Sequence, residues 1–436
     1  MEPEPATARS KPRRSARPPA IGIVGGGQLA WMLARAAARL GVDLHVQTPS
    51  PGDPAVALAT SVVEAPLDDV AATRRLAERC RAISFENEWV PLEPLMALRE
   101  EGITFLPDLD ALRPLVSKRA QRQLLNRLHL PCPRWCALEA VLPPPPAPAG
   151  ASGEGEGPFA QETAAPPPAP AAPVPAPPAL PPGFTFPVMA KAATGGYDGR
   201  GTVPLGGQED LEALLERVDP AAWILEEQVT FERELALVAC RDRGGRVACF
   251  PLVETHQHHQ VCDWVLFPAP VDQGVQAFAR NVAASLLTAL DYVGVLSIEF
   301  FYGPGGLQVN ELAPRTHNSG HLTIEACACS QFEQQVRIVA GLPMGSTDPV
   351  LPGALMVNLL GHDHGEEDPA ERLRALAALP GAHLHWYGKR GSSPGRKLGH
   401  LTLGLEGATP PLRAAERERR LAEVRRIWPL PAQSPP

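Results

Sequence analysis

The apolar positions change period several times along the chain, and those changes outline its elements. Ile21-Gly22-Ile23-Val24 is a short apolar run that ends in Gly25-Gly26-Gly27-Gln28. Beyond it Leu29, Met32, Leu33, Ala36, Ala37 and Leu40 recur at spacings of three and four, so a buried strand passes through a glycine turn into an amphipathic helix. A strand at 42–46 completes a βαβ unit. The alternation continues through a helix at 71–79, a strand at 82–85 and a helix at 92–100, which predicts a parallel α/β layer ending near residue 110. A helix at 116–128 is closed by Pro131-x-Pro133. Farther on, 186–190 reads as a strand entering a second glycine-rich loop. Apolar runs at 223–226, 234–240 and 247–253 alternate with polar turns, an antiparallel pattern. A long helix at 275–290 precedes two strands that carry acids at Glu299 and Glu311, and a further helix begins near Thr323. Strands near 354–360, 383–387 and 397–403 and a closing helix at 412–427 finish the chain. The expected fold class is α/β joined to α+β.

Composition removes two segments from this pattern. Residues 1–18 are rich in Pro, Arg and Ala without an apolar period, and 143–182 hold 16 of the 51 prolines. Neither can bury enough apolar surface to offset its ordering entropy, so a disordered tail and a disordered Pro/Ala insertion are expected. The rest of the 436 residues suffices for two or three domains. A net charge of −8 argues against a nucleic-acid-binding face. No apolar run approaches the 18 residues of a membrane span, and the start of the chain lacks an apolar signal region. The eight cysteines are scattered without paired spacing, which suits reduced thiols and a cytoplasmic location.

Several clusters carry candidate chemistry. Gly25-x-Gly27-x-x-Ala30 has dinucleotide-loop spacing, yet Val46-Gln47-Thr48 stands where that motif wants an acid. A phosphate monoester held by backbone N–H groups, a dinucleotide and a merely structural turn all remain readings of this loop. Around Gly195, Gly196, Gly199 and Gly201, glycine lets a backbone approach phosphate oxygens, with Lys191 adding a point charge; a plain hairpin turn is the alternative. Glu226-Glu227-Gln228-Val229 reads as a strand breaking into a hinge whose backbone suits an adenine edge, and Glu234 could take ribose hydroxyls. Glu299 and Asn310-Glu311 place two carboxylates at neighbouring strand ends, a set suited to Mg²⁺. The following run, Ala313 to His321, supplies Arg, His, Asn and Ser donors for an anionic substrate. His256, His258 and His259 suggest either a metal or an exposed polar hairpin.

Together these pieces resemble the ATP-grasp superfamily. Gly25-Gly26-Gly27-Gln28-Leu29, the Thr194–Gly201 loop, the Asn310–His321 run and Pro394-Gly395-Arg396-Lys397-x-Gly399-His400 resemble, in order, the N5-carboxyaminoimidazole ribonucleotide synthase family. The resemblance spans about residues 20–405. It implies an ATP-grasp fold with an N-terminal Rossmann-like (preATP-grasp) substrate-binding domain at 19–110. A middle subdomain at 111–235 would follow, then a C-terminal ATP-grasp subdomain at 236–345 and a small β-rich segment with its closing helix at 346–436.

The same resemblance implies a ligase of de novo purine biosynthesis. It would carboxylate 5-aminoimidazole ribonucleotide with ATP, Mg²⁺ and bicarbonate through carboxyphosphate. A homodimer, and transfer of the product to the pathway's mutase, are implied as well. By matching position, ATP would meet Lys118, Lys191, Gly195, Gly196, Tyr197, Asp198, Gly199, Arg200, Gly201, Glu226, Glu227, Gln228, Val229, Glu234, Gln257, Asn310 and Glu311. The substrate would meet Gly27, Gln28, Glu86, His317, Asn318, Ser319, Arg396 and Lys397. Glu299 and Glu311 would hold Mg²⁺. Asp198, Tyr197, Arg315 and Lys389 would carry the chemistry, with Asp198 as base. Ala192-Ala193 and Gln257 depart from the family pattern. The alternatives are a related ATP-grasp ligase acting on another ribonucleotide, or an inactive nucleotide-binding regulator.

Overall fold

The computed structural model describes residues 19–143, 177–196, 201–362 and 369–431. The tail at 1–18, most of the Pro/Ala insertion, and Tyr197, Asp198, Gly199 and Arg200 lie outside the described residues. The chain divides into two compact units, Met1–Cys132 with Thr230–Pro436, and Pro133–Val229.

The larger unit begins with β1 (Ala20–Val24), α1 (Gln28–Leu40), β2 (Asp43–Thr48), β3 (Ser61–Glu64), α2 (Val70–Ala77) and β4 (Ile83–Phe85). The strands form a parallel sheet in the order β3-β2-β1-β4. The apolar stripe anticipated for α1 is buried, and the helix stops at Gly41, whose φ of 64° lets its N–H reach Ala37 and Ala38. Next come α3 (Leu92–Glu100), α4 (Leu109–Leu112) and α5 (Lys118–Arg127).

The smaller unit holds β5 (Trp135–Ala137), β6 (Val188–Ala192), β7 (Thr202–Leu205), α6 (Gln208–Leu215) and β8 (Trp223–Glu227). Its antiparallel sheet runs β5-β8-β6-β7, and Leu211 and Leu214 of α6 pack on Val188, Ala190, Leu205 and Leu225. The far end of the Pro/Ala segment is docked on this body. Ala179 N–H donates to Val141, Gln208 donates to Pro178 O at 2.8 Å, and Leu180 joins the core. Composition alone could not separate these few anchored residues from their neighbours.

The larger unit resumes with β9 (Arg233–Arg241), β10 (Val247–Cys249), β11 (Val253–His258), β12 (Val261–Phe267), α7 (Gln273–Ala289), β13 (Gly294–Gly303) and β14 (Gly306–Ala313). It ends with α8 (Thr323–Ala326), α9 (Gln331–Ala340), β15 (Ala354–Leu360), α10 (Ala370–Ala377), β16 (Ala382–Trp386), β17 (Lys397–Gly404) and α11 (Pro410–Ile427). These strands build one antiparallel sheet, β14-β13-β9-β11-β12-β15-β17-β16, with β10 beside β9. Leu286 and Leu287 of α7 share a core with Leu235, Leu237, Leu296 and Ile298. Phe332, Val336 and Val339 of α9 pack with α1 and β1.

Two expectations change here. The strand read at 247–253 is two strands, because Pro251 has no N–H for a ladder. The helix expected near Thr323 is a single turn, and a longer helix starts at Gln331 instead, with Ser330 as its N-cap. There Ser330 and Glu333 form a reciprocal capping box, a pattern legible as S-x-x-E in the sequence.

Candidate active site

Antiparallel β13 and β14 set Glu299 directly opposite Glu311, with a slip in register just after Glu299. Like charges placed opposite repel unless something between them is positive. Burial, then Glu311 and Glu234, push the Glu299 carboxyl up to about 7, while Lys118 and Lys397 pull it down. Lys118, the first residue of α5, brings its Nζ 2.6 Å from Glu311 Oε1, and His317 Nε2 lies 3.6 Å from Glu299 Oε1. Among the described residues no group of three or more His, Cys, Asp or Glu could hold a metal. Two carboxylates suit Mg²⁺, which fills its other positions with water and phosphate oxygens, and would not make a closed zinc site. The α5 helix fixes the acid strand from behind. Gln121 donates to Leu312 O at 2.9 Å and accepts from Leu312 N at 3.0 Å, and Arg122 donates to Asn310 O at 2.6 Å.

The loop after β14 is held by residues far away in sequence. Gln331 accepts from His317 N at 2.9 Å and donates to His317 O at 2.7 Å. A Cβ on Gly320 would stand 2.6 Å from the Gln331 side chain, so this approach demands glycine. Asn318 and Asn358 exchange amide hydrogen bonds of 3.0 and 2.7 Å, and Asn358 also donates to Cys262 O. His317 Nδ1 lies 3.0 Å from Ser319 Oγ. Burial, then Arg315 and Lys397, hold His317 well below the ordinary imidazole range, so its ring is neutral. His321 and His400 are depressed likewise, chiefly by burial. They belong to a buried ring cluster in which Tyr387 OH is 2.8 Å from His400 Nδ1 and His385 Nε2 is 2.7 Å from Glu325. Arg315 forms a two-point pair with Glu88.

In the first glycine loop, backbone N–H groups hold a side chain of the chain itself. The N–H groups of Gly27, Leu29 and Ala30 donate to the Glu86 carboxylate at 2.6, 3.0 and 3.3 Å. The anion that these three N–H groups hold at the helix N-terminus is the chain's own. Burial raises the Glu86 carboxyl, and these hydrogen bonds oppose the shift. Gly25 has a φ of 130°, and a Cβ there would lie 2.3 Å from Glu86 Cβ, which explains the glycine. Lys389 Nζ donates to Lys397 O at 2.9 Å, and Arg396 donates to Arg390 O at 2.7 Å. Glu234 lies opposite Thr255 and accepts from Gln257; burial pushes it up to about 7, with His256 and Gln257 opposing. The histidine run forms a hairpin turn at His259-Gln260, with His256 stacked on Trp264.

In the smaller unit Lys191 on β6 and Glu226 on β8 form an ion pair of 2.7 Å, their side chains 11% and 2% exposed. Each so buried charge depends on its partner, so Glu226 fixes where Lys191 points. Glu227 accepts from Arg134 N at 3.3 Å. Gly195 and Gly201 have φ values of 77° and 74°, and Ala192 N donates to Gly201 O at 2.8 Å, closing the base of the loop on both sides of the residues outside the description. Gly196 belongs to that loop, and Gln228 and Val229 follow β8 without regular structure. Glu88, Gln331, Asn358 and Arg134 are absent from the sequence reading, since no local pattern marks them.

A Rossmann-like layer, a Lys–Glu strand pair below a glycine loop, and facing carboxylates on an antiparallel ladder define an ATP-grasp ligase. Residues 19–115 match the ribonucleotide synthetase preATP-grasp domain, 179–332 the ATP-grasp domain, and 354–408 the phosphoribosylaminoimidazole carboxylase C-terminal domain. The N5-carboxyaminoimidazole ribonucleotide synthase of Synechococcus elongatus is 46% identical over 94% of this chain and 96% of its own. The crystal structure of the corresponding Thermus thermophilus synthetase superposes with a TM-score of 0.74 at 32% identity, covering 95% of this chain and 99% of that one. The Aspergillus clavatus synthase in complex with ADP and 5-aminoimidazole ribonucleotide gives 0.75 at 25% identity, covering 94% and 99%. The chain belongs to the N5-carboxyaminoimidazole ribonucleotide synthase family.

Proposed function

We propose that this chain uses ATP and bicarbonate to carboxylate the exocyclic amine of 5-aminoimidazole ribonucleotide in purine biosynthesis. The observation that carries the reading is the Glu299/Glu311 pair, one hydrogen-bonded ladder from a loop that presents neutral His317, Asn318, Ser319 and Arg315. Bicarbonate is a poor electrophile, so its oxygen first takes the γ-phosphoryl of ATP, giving ADP and carboxyphosphate. Lys118 and Lys191 offset charge on the phosphates, as electrostatic stabilisation of phosphoryl transfer requires. Mg²⁺, held by Glu299 and Glu311, would supply further neutralisation of the phosphate oxygens when bound. Carboxyphosphate hydrolyses in water, so the 195–201 loop serves as its cover. It breaks to CO₂ and phosphate. The amine then attacks the carbon of CO₂ and loses a proton to Asp198, assisted by Tyr197 and Lys389. Arg396 and Lys397 provide charge for the ribonucleotide phosphate. The active form is a homodimer whose product passes to a mutase.

The test measures ADP and carboxylated product separately, omitting aminoimidazole ribonucleotide or bicarbonate in turn. Product that requires all three substrates supports the reading; ADP release without carboxylated product would overturn it. Asp198→Asn should retain ATP binding while suppressing product, and product at the wild-type rate would remove Asp198 as base.

A further inference from the structure

Arg315 is half-buried, and three of its five N–H donors are spent on described partners. Its Nε donates to Glu88 Oε2 at 2.5 Å, Nη2 to Glu88 Oε1 at 3.1 Å, and Nη1 to Thr316 O at 3.2 Å. A planar guanidinium gripped through two parallel N–H···O bonds cannot swing about its long side chain. Glu88 is itself reached from a stiff place. Two residues earlier, Glu86 N donates to Val24 O at 3.0 Å, and the Glu86 carboxylate is tied to three N–H groups of the glycine turn and α1. Asn87 Oδ1 accepts from Trp89 N at 3.0 Å, closing the turn around Glu88. One short loop at the end of β4 thus anchors the N-terminal layer with one acid and grips Arg315, 227 positions away, with the next.

We propose that Glu88 is the positioning residue for Arg315, fixing its guanidinium so that the two remaining N–H groups face the bicarbonate-derived anion. The inference rests on the carboxylation reading above. The Glu88–Arg315 pair could otherwise only tie two segments together. That alternative and the proposal differ in what happens when the charge is kept but the grip is shifted.

The experiment compares wild type, Glu88→Gln, Glu88→Asp, Arg315→Gln and the double variant Glu88→Gln/Arg315→Gln. Carboxylated product, ADP, KM values and melting temperature are read for each full-length protein. Wild-type product formation that depends on aminoimidazole ribonucleotide is required first, so failure of the functional reading shows there and nowhere else. Glu88→Asp keeps the charge but withdraws the carboxylate by one methylene. It should lower kcat about tenfold to a hundredfold, the effect of misplacing a reacting group by about 1 Å, with the KM for ATP within about twofold. Glu88→Gln should lose at least as much, and add nothing to the loss already present in Arg315→Gln. Wild-type kcat in a folded Glu88→Asp, or losses that multiply in the double variant, would overturn the proposal.

Discussion

Asn358→Ala is the substitution whose consequences follow most directly from the geometry. Asn358 is 0% exposed in the middle of β15, and Asn318 in the loop after β14 is 7% exposed. Three hydrogen bonds converge on the Asn358 amide, two shared with Asn318 and one to Cys262 O. Alanine strands both polar atoms of Asn318 and takes the Asn358 donor from the Cys262 carbonyl. Each buried unsatisfied group costs about 1–3 kcal/mol. Asn318 lies near enough to solvent to recover part of its share, so a net loss of about 3 kcal/mol is expected, mostly from the carbonyl and one amide atom. The freed Asn318 should also raise the KM for the ribonucleotide about tenfold, the worth of one oriented hydrogen bond.

Asn358→Asp sharpens the case, because its shape is conserved while the Nδ2 donor becomes an oxygen facing two acceptors. That carboxyl would have a folded pKa raised above its unfolded value of about 3.9. The variant should therefore regain stability as pH falls through the raised pKa toward about 3.9, as the acid protonates in the fold and donates again. Urea unfolding followed by tryptophan fluorescence, together with ribonucleotide KM, measures both effects. An Ala variant within about 0.5 kcal/mol of wild type, the range of an ordinary surface substitution, with unchanged KM, would refute the reasoning.

Other outcomes follow from the same structure. Glu299→Gln and Glu311→Gln should each abolish ADP formation while circular dichroism stays native, and near-normal turnover of both at saturating Mg²⁺ would show the metal is held elsewhere. His321 and His400 stay neutral in the fold, facing His385, Tyr387, Gln331 and Arg35, with His317 and Lys397 adding to the depression. The unfolded chain protonates them as pH falls through about 6.5, so their stabilisation is complete above that pH and lost below it, by about 1.4 kcal/mol per pH unit for each. Glu234 and Glu299, both raised to about 7, act in the opposite sense. The difference in urea stability between wild type and His400→Gln from pH 7.5 to 5.5 isolates the histidine, and a flat difference contradicts its assignment. Deleting residues 146–176 should shift stability by less than about 1 kcal/mol, because loop-closure entropy varies slowly with length. Residues 177–180 are kept, since Pro178, Ala179 and Leu180 are anchored; an insoluble product would show that the segment packs on the body.

The local elements, and the residue types at the site, were legible without coordinates. Apolar spacing located β1, α1, α7 and the acid-bearing strands, because helix and strand periods follow from backbone geometry within a few residues. The same local logic marked Glu299, Glu311 and the loop from Arg315 to Ser319, whose chemistry is carried by neighbours in sequence. Partners remote in sequence were out of its reach. The glycine turn showed spare N–H groups, and nothing local announced that the fold would bring Glu86, 59 residues on, to one of them. Lys118, placed at the ATP phosphates by the family resemblance, has in the folded chain a carboxylate partner, Glu311, that no local pattern announced. Gln121, Asn358 and Glu88 showed no signal at all, because each sits in an ordinary strand, helix or loop and acquires its role only from what packing brings against it. Backbone periodicity is a property of successive residues. A buried hydrogen bond is a property of two surfaces that meet, and only the tertiary structure decides which surfaces those are.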